Sequence, residues 1–252
     1  LKGGVAKSML AHSLASSFAR SMPTLLVDCD ATHTASEHCG YSHPETQNLF
    51  LDALLGNIEP QAAVVPTTTK NLSLLPSSWA MFASDKTFAS EPGADGLLAA
   101  LFNHASMQKY QAIVVDTPPS ICDLTYMAMI ASDSGLVVPA ECSAASLSAM
   151  KALFRCVSLL KERRCSTVNV VAVVPTRVTR TKSSNQAIEM LRENFGELVT
   201  KSQIDESLVV KDAVAHTKSI LEYRPKSKSA QQSQAVSNEL YKLHHENLTH
   251  GH

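Results

Sequence analysis

Seven residues near the start of the sequence have the composition of a loop that binds phosphate. They read Lys-Gly-Gly-Val-Ala-Lys-Ser over residues 2–8, and a stretch with helical spacing follows. Small residues let backbone N–H groups approach phosphate oxygens, and a helix N-terminus favours their negative charge. In such loops Lys7 contacts the β- and γ-phosphates and the Ser8 hydroxyl binds Mg²⁺. An ordinary glycine-rich turn is the alternative. The predicted nucleotide-binding residues are Gly3, Gly4, Val5, Ala6, Lys7, Ser8 and Met9.

Three carboxylates follow apolar segments that have the character of buried strands. Asp28 and Asp30 come after Leu25, Leu26 and Val27, and Asp116 comes after Ile113, Val114 and Val115. In open α/β sheets ligands bind at the carboxyl edge of the strands. We therefore expect all three side chains at that edge. An aspartate that only caps the next turn is the alternative for Asp28 and Asp30.

The elements that must position these residues alternate between strands and helices. Strands are predicted over residues 24–27, 72–75, 112–115, 135–138 and 168–174, and helices over 7–20, 146–163, 183–195 and 227–244, the third ending at Gly196. Continuous apolar strands separated by helices are typical of a parallel sheet covered on both faces. The predicted fold class is α/β, doubly wound and mostly parallel. We expect one domain over residues 1–243 and a flexible polar tail over 244–252.

The position of the phosphate loop raises one further expectation. Such a loop normally follows a buried strand, whereas here it begins at the second residue of the sequence. A parallel sheet without a central strand exposes unpaired backbone groups. We expect the first strand of the fold to be missing from this chain.

The amino-acid composition indicates what kind of protein this is and where in the cell it is expected. The 252 residues are 44% hydrophobic and carry a net charge of −1, so the chain can bury a large core but has no global field that attracts nucleic acid. Six scattered cysteines without a C-x-x-C pair indicate free thiols in a reducing compartment. No apolar run is long enough to span a membrane. We expect a cytoplasmic protein.

The same motifs carry a resemblance to a known family. Residues 2–8 resemble the deviant Walker A box, KGGxGK[ST], of the ParA/MinD family of P-loop ATPases, and the residues of this chain fit its ParA partition subgroup best. The segment ending in Asp28-Cys29-Asp30 resembles the second box of that family, and DTPPS at 116–120 resembles its Walker B segment. Residues 135–147 and 171–195 extend the similarity over nearly the whole chain.

The resemblance implies a set of roles. Lys2 occupies the signature position, so it would reach across an ATP-sandwich homodimer and act on the nucleotide of the partner, while Lys7 acts in cis. Asp30 would orient or deprotonate the attacking water. Ser8, Asp28 and Asp116 would hold or support Mg²⁺. Two departures bear on activity: Ala6 replaces a glycine, and Ala31-Thr32 replaces Pro-Gln after Asp30.

Basic residues in the C-terminal half suggest that such an ATPase binds DNA. The C-terminal half is rich in cations, and in this family it contributes to non-specific, ATP-dependent DNA binding. The candidate contacts are Arg177, Arg180, Lys182, Lys211, Lys218 and Arg224. The implied partners are a second copy of the chain, non-specific DNA and an adaptor or centromere-binding protein that stimulates hydrolysis. The implied place is the nucleoid.

Other readings of the sequence remain open at this stage. A MinD-like switch on a membrane surface would need a basic amphipathic C-terminal helix, and residues 237–252 contain only scattered leucines. A nucleotide-binding module with little hydrolysis is favoured by the departures at Ala6 and after Asp30. An iron protein would need paired cysteines that Cys122 and Cys142 do not match.

Overall fold

The computed structural model describes residues 6–41, 49–142, 144–164, 168–216 and 218–250. Six strands lie in these ranges: β1 Thr24–Asp28, β2 Val65–Pro66, β3 Leu72–Leu75, β4 Ala112–Asp116, β5 Leu136–Glu141 and β6 Val170–Thr176. The five predicted strands are confirmed within a few residues of their bounds. Strand β2 was not predicted, because it has two residues and contains a proline.

The helices of the described ranges surround these strands. They are α1 Ala6–Phe18, α2 Thr34–His38, α3 Leu49–Leu54, α4 Ser84–Ala89, α5 Leu97–Asn103, α6 Asp123–Ala131, α7 Ala144–Arg164, α8 Lys182–Phe195, α9 Leu208–Ala215, α10 Ile220–Tyr223 and α11 Lys228–His250. The four predicted helices are found. The short helices were missed because one or two turns carry too little periodicity to be recognised in a sequence.

Helix α8 shows how local sequence sets the ends of an element. At its N-terminus the Thr181 hydroxyl accepts a hydrogen bond from the Ser184 backbone N–H. At its C-terminus Gly196 has φ 54° and donates its backbone N–H to the Arg192 carbonyl. Glycine suits this position because it has no Cβ to clash in the left-handed region. The predicted end of this helix is confirmed.

The strands form two sheets. The larger has the order β2-β3-β1-β4, with β1 parallel to both β3 and β4 and β2 antiparallel at the edge. Strands β5 and β6 form a separate parallel pair. Among the described residues no strand pairs with β4 on its side away from β1. Apolar side chains of β4 are accordingly half-buried, whereas all five residues of β1 are buried.

Helices cover both faces of the larger sheet. Leu25 and Val27 of β1 face a core that contains Phe50 of α3 and Leu98 of α5. Leu26 points the other way and packs with residues of α1 such as Ala15. This alternation within one buried strand places apolar layers on both sides of the sheet. The predicted doubly wound α/β fold is therefore confirmed.

The final helix packs against the first one described. Its residues Ala230, Val236 and Leu240 share a core with Met9 and Leu14 of α1. At the rim of this contact the Gln234 side-chain amide donates to the Ser17 hydroxyl, and Gln234 accepts from Arg20. The apolar side of α11 is thus covered over its described side chains.

The last helix is longer than predicted. We expected the last helix to end at residue 244, but α11 continues to His250. Residues 244–250 contain neither proline nor glycine, so nothing in them interrupts a helix, and the next glycine is Gly251. No helix among the described residues is long and apolar enough to cross a membrane.

Candidate functional site

The predicted carboxylates meet at the carboxyl edge of the larger sheet. Asp28 ends β1, Asp116 ends β4, and the two are register partners in the parallel ladder. The backbone N–H of Cys29 donates to the Asp116 carbonyl at 2.8 Å, which extends the pairing one residue further. The structure therefore brings together two segments that lie 88 positions apart in the sequence.

Helix α1 supplies the basic and hydroxyl groups of the site. It begins at Ala6, so Lys7 and Ser8 lie in its first turn, where backbone N–H groups have no partner within the helix. Ser8 and Met9 are buried. Ala6 is the first residue of this helix and does not have a positive φ, so alanine in place of glycine causes no left-handed backbone strain there. Lys2, Gly3, Gly4 and Val5 lie outside the described residues, and their roles stay predictions.

Asp116 is a buried carboxylate beside Lys7, Ser8 and the Thr117 backbone N–H, none of which makes a well-formed hydrogen bond to it. It is 1% exposed, and neither of its carboxylate oxygens accepts a hydrogen bond within ordinary geometry from the described residues. Burial raises its pKa above the usual range, and the nearby Lys7 ammonium and Ser8 hydroxyl oppose that rise. A buried acid with two unused oxygens is costly unless something binds it.

These features test whether the site suits Mg²⁺. The ion prefers oxygen ligands and is usually held by one or two carboxylates together with substrate phosphates and water. The unpartnered oxygens of Asp116 and the adjacent Ser8 hydroxyl fit that preference. No three His, Cys, Asp or Glu side chains converge as a metal cage in the part of the chain that is described. The donor set fits an ion that arrives with a nucleotide.

Asp28 is buried, but both of its oxygens have protein partners. Oδ1 accepts from the Asp30 backbone N–H at 3.1 Å, and Oδ2 accepts from the backbone N–H and the hydroxyl of Ser36, both at 2.8 Å. Burial and the neighbouring Asp116 raise its pKa, and the Ser36 hydrogen bonds oppose the shift. Asp28 is better placed to organise the loop after β1 than to coordinate an ion directly. Its predicted metal role is untested.

Asp30 lies in a tight turn formed by its own side chain. Its Oδ1 accepts from the Thr32 backbone N–H at 2.9 Å, and its carbonyl accepts from the His33 backbone N–H at 2.8 Å. His33 has φ 43° and precedes α2. An aspartate that bonds the backbone two residues later forms such a turn without a proline. The loop therefore closes although Ala31-Thr32 replaces Pro-Gln, and Asp30 remains at the edge that holds Asp116.

Two serines of this site, Ser36 and Ser77, were not predicted. Ser36 binds Asp28, and the Ser77 backbone N–H donates to the Ser36 hydroxyl at 3.2 Å. Both residues are buried. A lone serine eight positions after an aspartate carries no recognisable signal, and Ser77 contributes a backbone group that any residue could supply. Only the folded structure, which brings Ser36 of α2 to the segment after β3, reveals the contact.

The predicted nucleic-acid residues do not behave as one group. The Arg177 guanidinium lies between two carboxylates, 3.0 Å from Glu141 and 3.5 Å from Glu206. These hydrogen bonds, led by that of Glu141, raise its pKa. Arg224 lies over the Tyr223 ring at 5.6 Å. Arg180, Lys182, Lys211 and Lys218 are exposed, and the structure gives no contact that gathers them into one patch.

Comparisons with known proteins agree with this geometry. Residues 1–170 match the family model described as an AAA domain. The sporulation initiation inhibitor protein Soj of Bacillus subtilis is 27% identical over 232 residues, covering 91% of each chain. The chromosome partitioning protein ParA of Myxococcus xanthus is 26% identical over 243 residues, covering 96% of this chain and 85% of that protein.

A solved structure shows the same fold. The ATP complex of Cyanothece McdA superposes with a TM-score of 0.83 at 22% identity, covering 96% of this chain and 93% of that one. At this identity the likeness establishes the arrangement of elements alone. The family match over residues 1–170, with these relatives, shows that this chain belongs to the AAA-domain family, among the ParA/MinD-type P-loop ATPases and their ParA partition subgroup.

Proposed function

We propose that this chain is an ATP-dependent partitioning or positioning ATPase. It binds Mg²⁺ and ATP at the sheet edge, forms a homodimer around the nucleotide, binds DNA without sequence preference and hydrolyses ATP slowly when an adaptor protein stimulates it. The cargo is plasmid or chromosomal DNA or another large body. The observation that supports this most is the buried Asp116 carboxylate, without partners, beside Lys7 and Ser8.

The roles of the residues follow from their positions. Lys7 and the first turn of α1 bind and orient the β- and γ-phosphates. Ser8 and Asp116 hold Mg²⁺, which supplies positive charge that neutralises the phosphate oxygens. Asp30 orients the attacking water and accepts its proton. Lys2 of the second copy adds a cation to the transferred phosphoryl group, so hydrolysis depends on dimerisation.

Sedimentation of the purified chain is the direct test. It should be a monomer with ADP, a dimer with ATP and Mg²⁺, and should co-sediment with unrelated DNA only in the ATP state. Lys2→Ala should still bind ATP as a monomer but lose assisted hydrolysis, because the missing cation acts only across the dimer. Turnover of that variant at the parent rate would refute the sandwich role. A monomer in every nucleotide state would refute the switch.

Asp30→Ala separates hydrolysis from binding. Removing a group that handles the proton of the attacking water typically costs about 100-fold or more in turnover. ATP affinity should change little, because Asp30 does not belong to the phosphate loop, and the dimer should persist longer. Radiolabelled phosphate release and gel filtration with ATP measure the two effects. Unchanged turnover would remove the assignment of Asp30.

One observation favours a second candidate function. Oδ1 of Asp30 is already used by the Thr32 backbone N–H, in a loop that lacks the Pro-Gln of the family box. A chain whose Asp30 cannot address water would bind ATP and dimerise without releasing phosphate. ATP retention with no phosphate release from the parent chain, even with DNA present, would favour this non-hydrolysing module. Among the described side chains of α11, Ala230, Val236 and Leu240 are buried against the core and are not available to a membrane surface, as a MinD-like switch would require.

A further inference from the structure

The loop that carries Asp30 is closed by a single carboxylate. Asp28 accepts from the Asp30 backbone at one oxygen and from Ser36 at the other, so it joins the first and last residues of the segment 30–36. All three residues are buried. Hydrogen bonds to a charged acceptor in a water-poor environment are the strong ones. The position of Asp30 therefore depends on how firmly Ser36 holds Asp28.

The Ser36 hydroxyl makes two bonds with defined directions. Asp28 Oδ2 has no proton to give when ionised, so the hydroxyl donates to it at 2.8 Å and its lone pair is left to accept from the Ser77 N–H at 3.2 Å. Ser77 follows the end of β3, in a different segment of the sheet edge. One hydroxyl thus links the loop after β1 to the loop after β3.

The loop after β3 leads directly to an exposed aromatic surface. Trp79 and Phe82 are 57% and 62% exposed, and their rings stack with centroids 5.4 Å apart. The His33 ring meets Trp79 edge-on at 5.2 Å, and the His33 backbone N–H donates to the Asp30 carbonyl. Two contacts, one through Ser77 and one through His33, connect this surface to the loop that holds Asp30.

We propose that Ser36 is a positioning residue that fixes Asp30 through Asp28 and couples that loop to the Trp79–Phe82 surface. The inference rests on the proposed function, because Asp30 is given its catalytic role there. Phosphate and Mg²⁺ bound beside Asp116 change the charge that faces Asp28, and any resulting shift of the loop moves Ser77 and His33 with it. The conformation of the exposed Trp79–Phe82 surface therefore depends on which nucleotide is bound.

The chain carries its own probe of this coupling, because Trp79 is its single tryptophan. In the parent chain Mg²⁺ with ATP, but not Mg²⁺ alone, should change the emission of Trp79 and its quenching by acrylamide. In Ser36→Ala the change should be lost, since the variant keeps the backbone bond to Asp28 but removes both hydroxyl bonds. Turnover should fall about tenfold with the half-saturating ATP concentration changed less than about twofold.

Two further variants separate positioning from simple destabilisation. Ser36→Thr keeps a hydroxyl and should restore the Trp79 response and most of the turnover. Ser237→Ala is the matched control, because Ser237 is a buried serine of α11 whose hydroxyl donates to the Ser233 carbonyl at 2.9 Å, away from the site. It should match the parent in both readouts. Equal losses in Ser36→Ala and Ser237→Ala would overturn the proposal.

Hydrogen exchange of the parent chain covers the case in which Ser36→Ala does not fold. The amides of Ser36 and Ser77 should both be protected, and their protection should rise together when Mg²⁺ and ATP are added. Exchange at Ser77 that ignores nucleotide would overturn the coupling. A Trp79 response that persists in a folded Ser36→Ala variant would also overturn it.

The outcomes also separate this inference from the proposed function. If the parent binds Mg²⁺ and ATP by calorimetry but releases no phosphate, hydrolysis fails as the function, and the Trp79 response still decides the coupling. If the parent hydrolyses ATP while Ser36→Ala keeps both turnover and response, the function stands and the coupling is wrong. If the parent chain binds no nucleotide, Trp79 emission will not change, and both the proposed function and the coupling are wrong.

Discussion

Two charged regions of the molecule differ in how their charges are arranged. The acidic sheet edge is formed by Asp28 and Asp116, and the basic C-terminal surface consists of the exposed cations Arg177, Arg180, Lys182, Lys211, Lys218 and Arg224. At the edge, Asp28 and Asp116 are buried, face each other in register and include two oxygens without partners. On the basic surface the cations are exposed, and Arg177 is held by two glutamates. Burying an unpaired charge destabilises the fold, and such a group is retained where a bound ligand offsets that penalty. Exposed cations have almost no effect on the free energy of folding. The edge is therefore the stronger indication of a binding site.

The largest effect expected at the edge comes from Lys7→Ala. Lys7 lies near Asp116 in the first turn of α1, where the phosphates should bind, so the variant should lose about 100-fold or more in ATP affinity. Equilibrium binding of a fluorescent ATP analogue measures this. Lys70→Ala, which changes an exposed lysine before β3, is the control and should bind like the parent. Preserved affinity in Lys7→Ala would contradict the phosphate-loop assignment.

Asp116→Asn should make the fold more stable but weaken Mg²⁺-dependent ATP binding. Burial raises the Asp116 pKa, so the ionised carboxylate destabilises the fold, and this penalty grows as pH rises from the ordinary carboxyl pKa through the raised value. At about pH 8 the variant should gain about 1–3 kcal/mol in free energy of unfolding without nucleotide. It should also lose Mg²⁺-dependent ATP binding. Urea denaturation and calorimetry check both parts, and a variant less stable than the parent at that pH would refute the unpaired state of Asp116.

Substitutions on the basic surface should have smaller effects, and these effects on DNA binding should differ between residues. Lys211→Gln with Lys218→Gln should weaken binding to unrelated DNA sequences about tenfold and reduce the salt slope by about two, if both contact phosphates. Arg177→Gln should leave the slope unchanged, because Glu141 and Glu206 already occupy its guanidinium. Fluorescence anisotropy over a salt series gives these slopes. A larger slope change for Arg177 than for the lysines would reverse the comparison.

The smallest effect concerns a buried polar group to which the proposed function assigns no role. His38 of α2 is buried, neither ring nitrogen has a hydrogen-bond partner among the described residues, and burial lowers its pKa to about 4. His38→Leu should stabilise the fold by about 1 kcal/mol at neutral pH and by more as pH falls below the ordinary histidine value, where the unfolded parent takes up a proton. Thermal melts at several pH values test this. Stabilisation that shrinks in acid would contradict it.

The strands, and the placement of Asp28 and Asp116 at their ends, could be predicted because each depends on local sequence. The apolar runs before Asp28 and Asp116 are buried strands, and parallel pairing then fixes their common edge. The partners of those residues could not be predicted. Ser36 and Ser77 lie 41 positions apart and meet only in the folded chain, and the pairing of Arg177 depends on glutamates 36 and 29 positions away. Counting lysines and arginines in the sequence therefore could not distinguish Arg177, which pairs with two glutamates, from the other exposed cations.

The packing of α11 on α1 has a consequence for the order in which the protein is made and folds. Ser17 and Gln234 are 217 positions apart, so the helix that begins the phosphate site gains this support only after nearly all the described chain has left the ribosome. Closing a loop of that length costs about 5 kcal/mol in chain entropy, which the contact must offset before the two helices hold each other. A nascent chain released early would carry the phosphate-binding helix without its cover, so ATP binding should be acquired late in biosynthesis.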